Sequence, residues 1–121
     1  MLKDDGTGRY LLSYEVTGVI RRIPIEKRGT SRYGHEWVLG GVLLEVSEDG
    51  AEGSAPMYLT TFDPELIETI NTLGVGKKVR VGYHINTRER FDGYTVSVIA
   101  DTMELLTDGE NFLLGRKEAR P

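Results

Sequence analysis

Residues Tyr58 to Tyr94 read YLTTFDPELIETINTLGVGKKVRVGYHINTRERFDGY, a stretch whose periodicity changes three times. A short strand ends at Phe62. Asp63 then supplies a side-chain oxygen for the bare N–H groups of a first helical turn, and Pro64 stands where a helix needs no N–H. A helix over Pro64 to about Leu73 presents Leu66, Ile67, Ile70 and Leu73 as one apolar stripe, with Glu65 and Glu68 on a solvated face. Gly74 to Gly76 lead out into a strand that alternates with period two. Val79, Val81, Tyr83 and Ile85 point inward, and Lys78, Arg80, His84, Asn86 and Arg88 point outward as the most basic row of the chain. A hairpin is expected to turn at Asp92-Gly93, its tip presenting Arg88, Arg90, Phe91 and Tyr94 together.

Upstream, Tyr14, Val16, Gly18 and Ile20 alternate with Glu15, Thr17, Val19 and Arg21, the pattern of a half-buried strand. The phase breaks at Arg21-Arg22, as at a bulge or a strand end, and Pro24 supports an exit there. Glu26 to Gly34, EKRGTSRYG, reads as a charged linking loop carrying Lys27, Arg28, Arg32 and Tyr33. It is either a mobile basic arm beside a binding cleft or a solvated hairpin. A second strand, about His35 to Val46, turns Val38, Val42, Leu44 and Val46 inward and leaves Trp37, Leu39, Gly41, Leu43 and Glu45 on the other face. That outer face is too apolar for water alone. Trp37 marks a subunit interface, a ligand face or the closed end of the core. Ser47 to Pro56 is an acidic turn, and a third strand, Met57 to Phe62, sets Met57, Leu59 and Thr61 opposite Tyr58, Thr60 and Phe62. The strand after the hairpin, Tyr94 to Leu105, places Val96 and Val98 inward before its phase shifts.

Three strands, one helix and a two-stranded hairpin give the element order of an OB fold. This is an all-β five-stranded Greek-key barrel with one helix, whose concave face binds oligomers. The expected organisation is a flexible stretch over 1–10, the barrel over 11–106 and a tail over 107–121. The tail holds an apolar island, Phe112 to Leu114, that can dock on the barrel, bind a partner or stay disordered.

A chain of 121 residues with 39% hydrophobic residues has the size of one domain. Without cysteine and with only His35 and His84 as imidazoles, it offers neither disulfides nor a thiolate or histidine metal cluster, so no cofactor is expected. MLKDDGTGRY lacks the apolar core of a secretion signal and no apolar run approaches a membrane span, which makes a cytoplasmic protein the simplest reading. The net charge of −4 is unevenly distributed. Residues 9–38 and 76–100 each sum to +3, whereas 39–75 carry seven acids and no base. A barrel that brings the first and fourth strands together can merge the two basic segments into one positive surface.

With these residues placed, the chain resembles the single-stranded-DNA-binding protein (SSB) family, most closely small SSB-like OB-fold proteins of Bacteroides-type bacteria. The resemblance spans about residues 14 to 106. It is carried by YEVTGVIRRI from Tyr14, GHEW over Gly34 to Trp37, LTTF from Leu59, LGVGKKVRV from Leu73, INTRERFDGY from Ile85 and the ending MELL. It implies a stacking aromatic at the end of the third strand, here Phe62, and a basic segment with an aromatic at the last hairpin, here Arg88, Arg90 and Phe91. The chain departs from that family at its end, GRKEARP, where SSB proteins have an acidic tip that recruits partners.

The function expected is non-catalytic binding of single-stranded nucleic acid, DNA before RNA and with little sequence preference, by a homodimer or homotetramer. Bases would stack on Tyr58, Phe62, Phe91, Trp37 and Tyr94, and phosphates would meet Arg21, Arg22, Lys27, Arg28, Arg32, Arg80, Arg88 and Arg90. The alternative is a protein-interaction module on the same fold, with Trp37, Leu39 and Leu43 against another chain. No nucleophile, base and orienting group stand at a telling spacing, so an enzyme is not expected.

Overall fold

Alternation in β2 (Tyr10–Arg22) and β4 (Glu36–Val46) drives one face of each strand inward, and β5 (Ala55–Thr61), β6 (Lys78–Arg90) and β7 (Gly93–Leu105) complete the sheet in this computed structural model. Residues 2–4, 6, 10–48 and 52–106 are described, Tyr10 and Leu11 by their backbone alone. β2 runs antiparallel to β6 from Leu12↔Ile85 to Val19↔Lys78, and to β4 from Gly18↔Val46 to Arg22↔Leu43. Pairing on both sides lets it close the barrel β2-β6-β7-β5-β4. At Gly18, where β2 passes from one partner to the other, a Cβ would lie 2.8 Å from the Glu45 carbonyl oxygen, so only glycine allows the two backbones to come this close. The expected irregularity is present: the register slips between Ile20 and Arg22.

The seam between β5 and β7 is parallel and rests on the single bridge Thr60↔Ile99. β4 and β5 are joined continuously from Gly40↔Thr61 to Val46↔Ala55, and β6 and β7 from Val79↔Leu105 to Arg90↔Gly93. The fully buried side chains Ile20, Val42, Leu44, Leu59, Val79 and Val81 fill the interior, with Leu66 and Ile70 of α1 (Pro64–Leu73) closing one end. Asp63 Oδ1 accepts from the Glu65 backbone N–H at 3.0 Å, and Gly74 leaves the helix at φ 82°, so both ends of α1 fall where the sequence places them.

Several expectations are corrected. Lys27–Thr30, read as part of a loop, form a strand, β3, paired with β4 from Lys27↔Leu39 to Thr30↔Glu36. The turn of this hairpin is tight: Ser31 Oγ accepts from the backbone N–H groups of Tyr33 and His35 at 3.3 and 3.1 Å. Leu2–Asp4, expected to be unstructured, form β1 against Leu12–Tyr10. The β6–β7 turn consists of Phe91-Asp92, one residue earlier than expected, with Arg90 paired to Gly93. Val96 is exposed rather than inward, because it lies opposite Thr87 in a part of the hairpin that no other strand covers. The expected phase shift in β7 is a slip opposite Gly82/Tyr83 that leaves Asp101 unpaired: before it Ala100, in phase with Val98, is buried, and after it Met103, opposite Val81, packs against the core. The tail expectation concerns residues outside those described.

Candidate functional site

Alternation along β5 and β4 puts Tyr58, Thr60 and Phe62 on the same outer face as Leu43, Gly41, Leu39 and Trp37, and the β3–β4 register adds Gly29 beside Trp37. The indole lies over Gly29, where a Cβ would strike its six-membered ring, and the Tyr58 hydroxyl covers Gly41 so that a Cβ there would strike it. Trp37 and Phe62 meet edge to face with ring centroids 6.3 Å apart. Both keep open surface, 41% and 59% of their areas, so the pair is a platform rather than part of the core. Thr61, one residue from Phe62, is buried, and its Oγ1 accepts from the Asp63 N–H at 3.0 Å, which holds the chain as Phe62 leaves the strand.

The second aromatic group, Phe91 and Tyr94, is exposed at the β6–β7 tip. Because β7 runs parallel to β5 with Ile99 beside Thr60, Tyr94 lies toward the Ala55 end of β5 and Phe62 beyond the other end. Seven residue steps at about 3.3 Å each put Tyr94 and Phe62 about 23 Å apart along the strands. The structure does not gather the five aromatics into one cluster. It makes two separate aromatic groups, one on the β3–β4–β5 face and one at the β6–β7 tip.

The cations divide into two kinds. Arg21 pairs with Glu45, Arg28 with Glu26 at 2.6 Å and Arg80 with Glu104 at 3.0 Å. Surface pairs of this kind add little stability, because water already solvates both charges, so a phosphate can displace the carboxylate at little cost. Among the described residues Arg22, Lys27, Arg32, Arg88 and Arg90 form no salt bridge. Arg32 lies 5.5 Å from the Tyr33 ring centroid at the β3–β4 tip, and Arg90 Nε donates to Thr95 Oγ1 at 3.2 Å. Glu45 also accepts from Ser54 Oγ at 2.7 Å; that bond and the Arg21 guanidinium hold its carboxyl below the usual carboxylate range.

Two features escaped the sequence reading. The seat of Trp37 on Gly29 was hidden because EKRGTSRYG shows no alternation; the signal was a glycine eight residues before a tryptophan across a turn-forming run. The other feature is a polar row on the outer face, in which Ser13 stands opposite His84 and His84 Nδ1 lies 2.9 Å from both carboxylate oxygens of Asp101. Among the described residues no group of three or more metal-ligating side chains converges, and no helix is long and apolar enough to cross a membrane.

A closed barrel in the order β2-β4-β5-α1-β6-β7, with a parallel β5–β7 seam and a helix across its end, settles the architecture. The fold is an OB fold. Solved structures share this OB barrel at low sequence identity. The mitochondrial single-stranded DNA-binding protein Rim1 of S. cerevisiae is 16% identical, the match covering 79% of this chain and 96% of that one, with a TM-score of 0.57. The N-terminal domain of PriB from Thermoanaerobacter tencongensis, a dimeric structure, is 19% identical over 80% of this chain and 98% of its own, with a TM-score of 0.55. The second OB-fold domain of replication protein A from Methanococcus maripaludis is 16% identical over 80% and 86%, with a TM-score of 0.50. No protein-family model and no curated protein matches the chain.

Proposed function

We propose that this OB barrel binds single-stranded nucleic acid, DNA before RNA, without catalysing a reaction on it. The observation that carries the reading is the Trp37–Phe62 platform, two aromatic rings held edge to face yet open to solvent on a barrel face that also bears Tyr58. Every base has a π-face, so stacking of about 1–3 kcal/mol per base holds a strand with little regard to sequence. Phe91 and Tyr94 supply a second stacking station, and Arg22, Lys27, Arg32, Arg88 and Arg90 supply cations that form no salt bridge among the described residues. Arg21, Arg28 and Arg80 join them by exchanging a carboxylate for a phosphate. The SSB-like neighbours named for single-stranded DNA binding support this reading, and so do the SSB motifs of the sequence, down to their likeness to the Bacteroides-type group.

We place the chain in the cytoplasm as a homodimer or homotetramer. Between Leu12 and Gly18 one edge of β2 faces neither β1 nor β4, and such an open edge invites another chain. Fluorescence-anisotropy titration with oligothymidine at several salt concentrations tests the binding. Affinity that falls steeply with salt is the expected outcome; no binding at low salt removes the proposal.

A further inference from the structure

Between α1 and the β3–β4 hairpin lies an open groove of about 1070 Å³, continuous through Glu26, Ile67 and Asn71 with a smaller one of about 270 Å³ beside Ile23 and Ile25. Its walls are apolar where Trp37, Val38, Phe62 and Ile67 meet, and Ile25 at its edge is 93% exposed. Its rim is acidic. Glu36 and Glu68 are exposed there, and Arg28, the one cation among its described lining residues, is already bonded to Glu26. An apolar segment followed by basic residues matches such a floor and rim.

The chain carries such a segment immediately after the barrel. Residues 107–121 read TDGENFLLGRKEARP, in which an apolar triplet stands between Asp108 and Glu110 on one side and Arg116, Lys117, Glu118 and Arg120 on the other, so that the part after the triplet is net basic. β7 ends at Leu105 opposite Val79, and the Leu106 N–H donates to the Lys78 carbonyl at 2.8 Å. The described chain thus ends at Leu106 beside Lys78, four residues after the Gly74 that closes α1, whose last turn supplies Asn71 and Thr72 to one end of the groove. Five residues, 107–111, reach up to about 17 Å when extended, and the ten residues of α1 span about 15 Å. We propose that residues 107–121 dock in this groove of their own barrel, Phe112, Leu113 and Leu114 on its apolar floor and Arg116 and Lys117 against Glu36 and Glu68. Since Trp37 and Phe62 form the wall, the docked segment occupies the edge of the stacking platform.

Trp37 is the only tryptophan in the chain, so its emission reports on the groove without a label. The full chain and the variant Phe112→Ser/Leu113→Ser/Leu114→Ser are compared by acrylamide quenching and emission maximum, with no oligonucleotide present and with thermal melts of both. The variant is expected to melt like the parent while its tryptophan quenches more readily and emits further to the red. Glu36→Lys/Glu68→Lys should expose the indole in the same way, and adding Arg116→Glu/Lys117→Glu to that chain should restore protection. Identical quenching in parent and both variants overturns the proposal. Protection that is lost on dilution also overturns it, because the occupant is then the segment of a second copy. The strand-binding reading is tested with oligothymidine and this one without it, so either can fail alone.

Discussion

Phe62 has more than half of its surface open, so its replacement should affect ligand more than fold. Phe62→Ala is expected to weaken oligothymidine binding by about 1–3 kcal/mol with an unchanged salt slope. It should destabilise the barrel by much less than the about 3–5 kcal/mol of a buried phenylalanine. Arg88→Ala should do the opposite, shallowing the log–log salt slope by about 0.7 and weakening all base sequences alike. Titrations at several salt concentrations, paired with thermal melts, separate the two; an early-melting Phe62→Ala that binds normally would assign Phe62 to the core. Glu45 gives a pH dependence. Its folded carboxyl is held below the ordinary range by Ser54 and Arg21, so it contributes stability above its unfolded value and loses it as pH falls through the lowered folded one. Ser54→Ala should return the Glu45 titration, followed by side-chain carboxyl NMR, toward the ordinary carboxylate range. At this scale the sequence was informative: the inward and outward sets of β4, β5 and the first half of β6 follow directly from alternation. Pairing partners such as Glu45 for Arg21 lie 24 residues away and leave no local signal.

β3 owes its place to a contact rather than to propensity. KRGT has a glycine and two charged residues in four, a poor strand by composition, yet the indole of Trp37 lies on Gly29 and fixes it to β4. Gly29→Val should lift the indole, reddening Trp37 emission and lowering oligothymidine affinity while the barrel core melts nearly as before; unchanged emission would detach Trp37 from the hairpin. The helix was legible to the residue because Asp63, Pro64 and Gly74 act on their immediate neighbours. The outer half of the β6–β7 hairpin misled for the opposite reason. Thr87 to Val96 keeps strand alternation but covers no core, so periodicity there says nothing about burial.

For the whole molecule, the segregated charge and the open β2 edge bear on assembly. Light scattering at high micromolar concentration should give a mass above the 13.5 kDa of one chain, and a monomer would remove the expected dimer or tetramer. Architecture was recoverable from element order, whereas the groove and the separation of the two aromatic groups were not, since both arise from how distant strands are wound together. The single-bridge seam also sets a timetable. β2 cannot complete its pairing until β6, some sixty residues later, is available, and the barrel cannot close until Ile99 reaches Thr60. Contacts so remote in sequence make for slow refolding, in the ms–s range of all-β domains. Closure at the seam should be among the last events, so that Ile99→Val mainly speeds unfolding and leaves the refolding rate almost untouched. During synthesis the newly made β2 waits with both edges bare, and the nascent chain is most prone to aggregate before its last strand emerges.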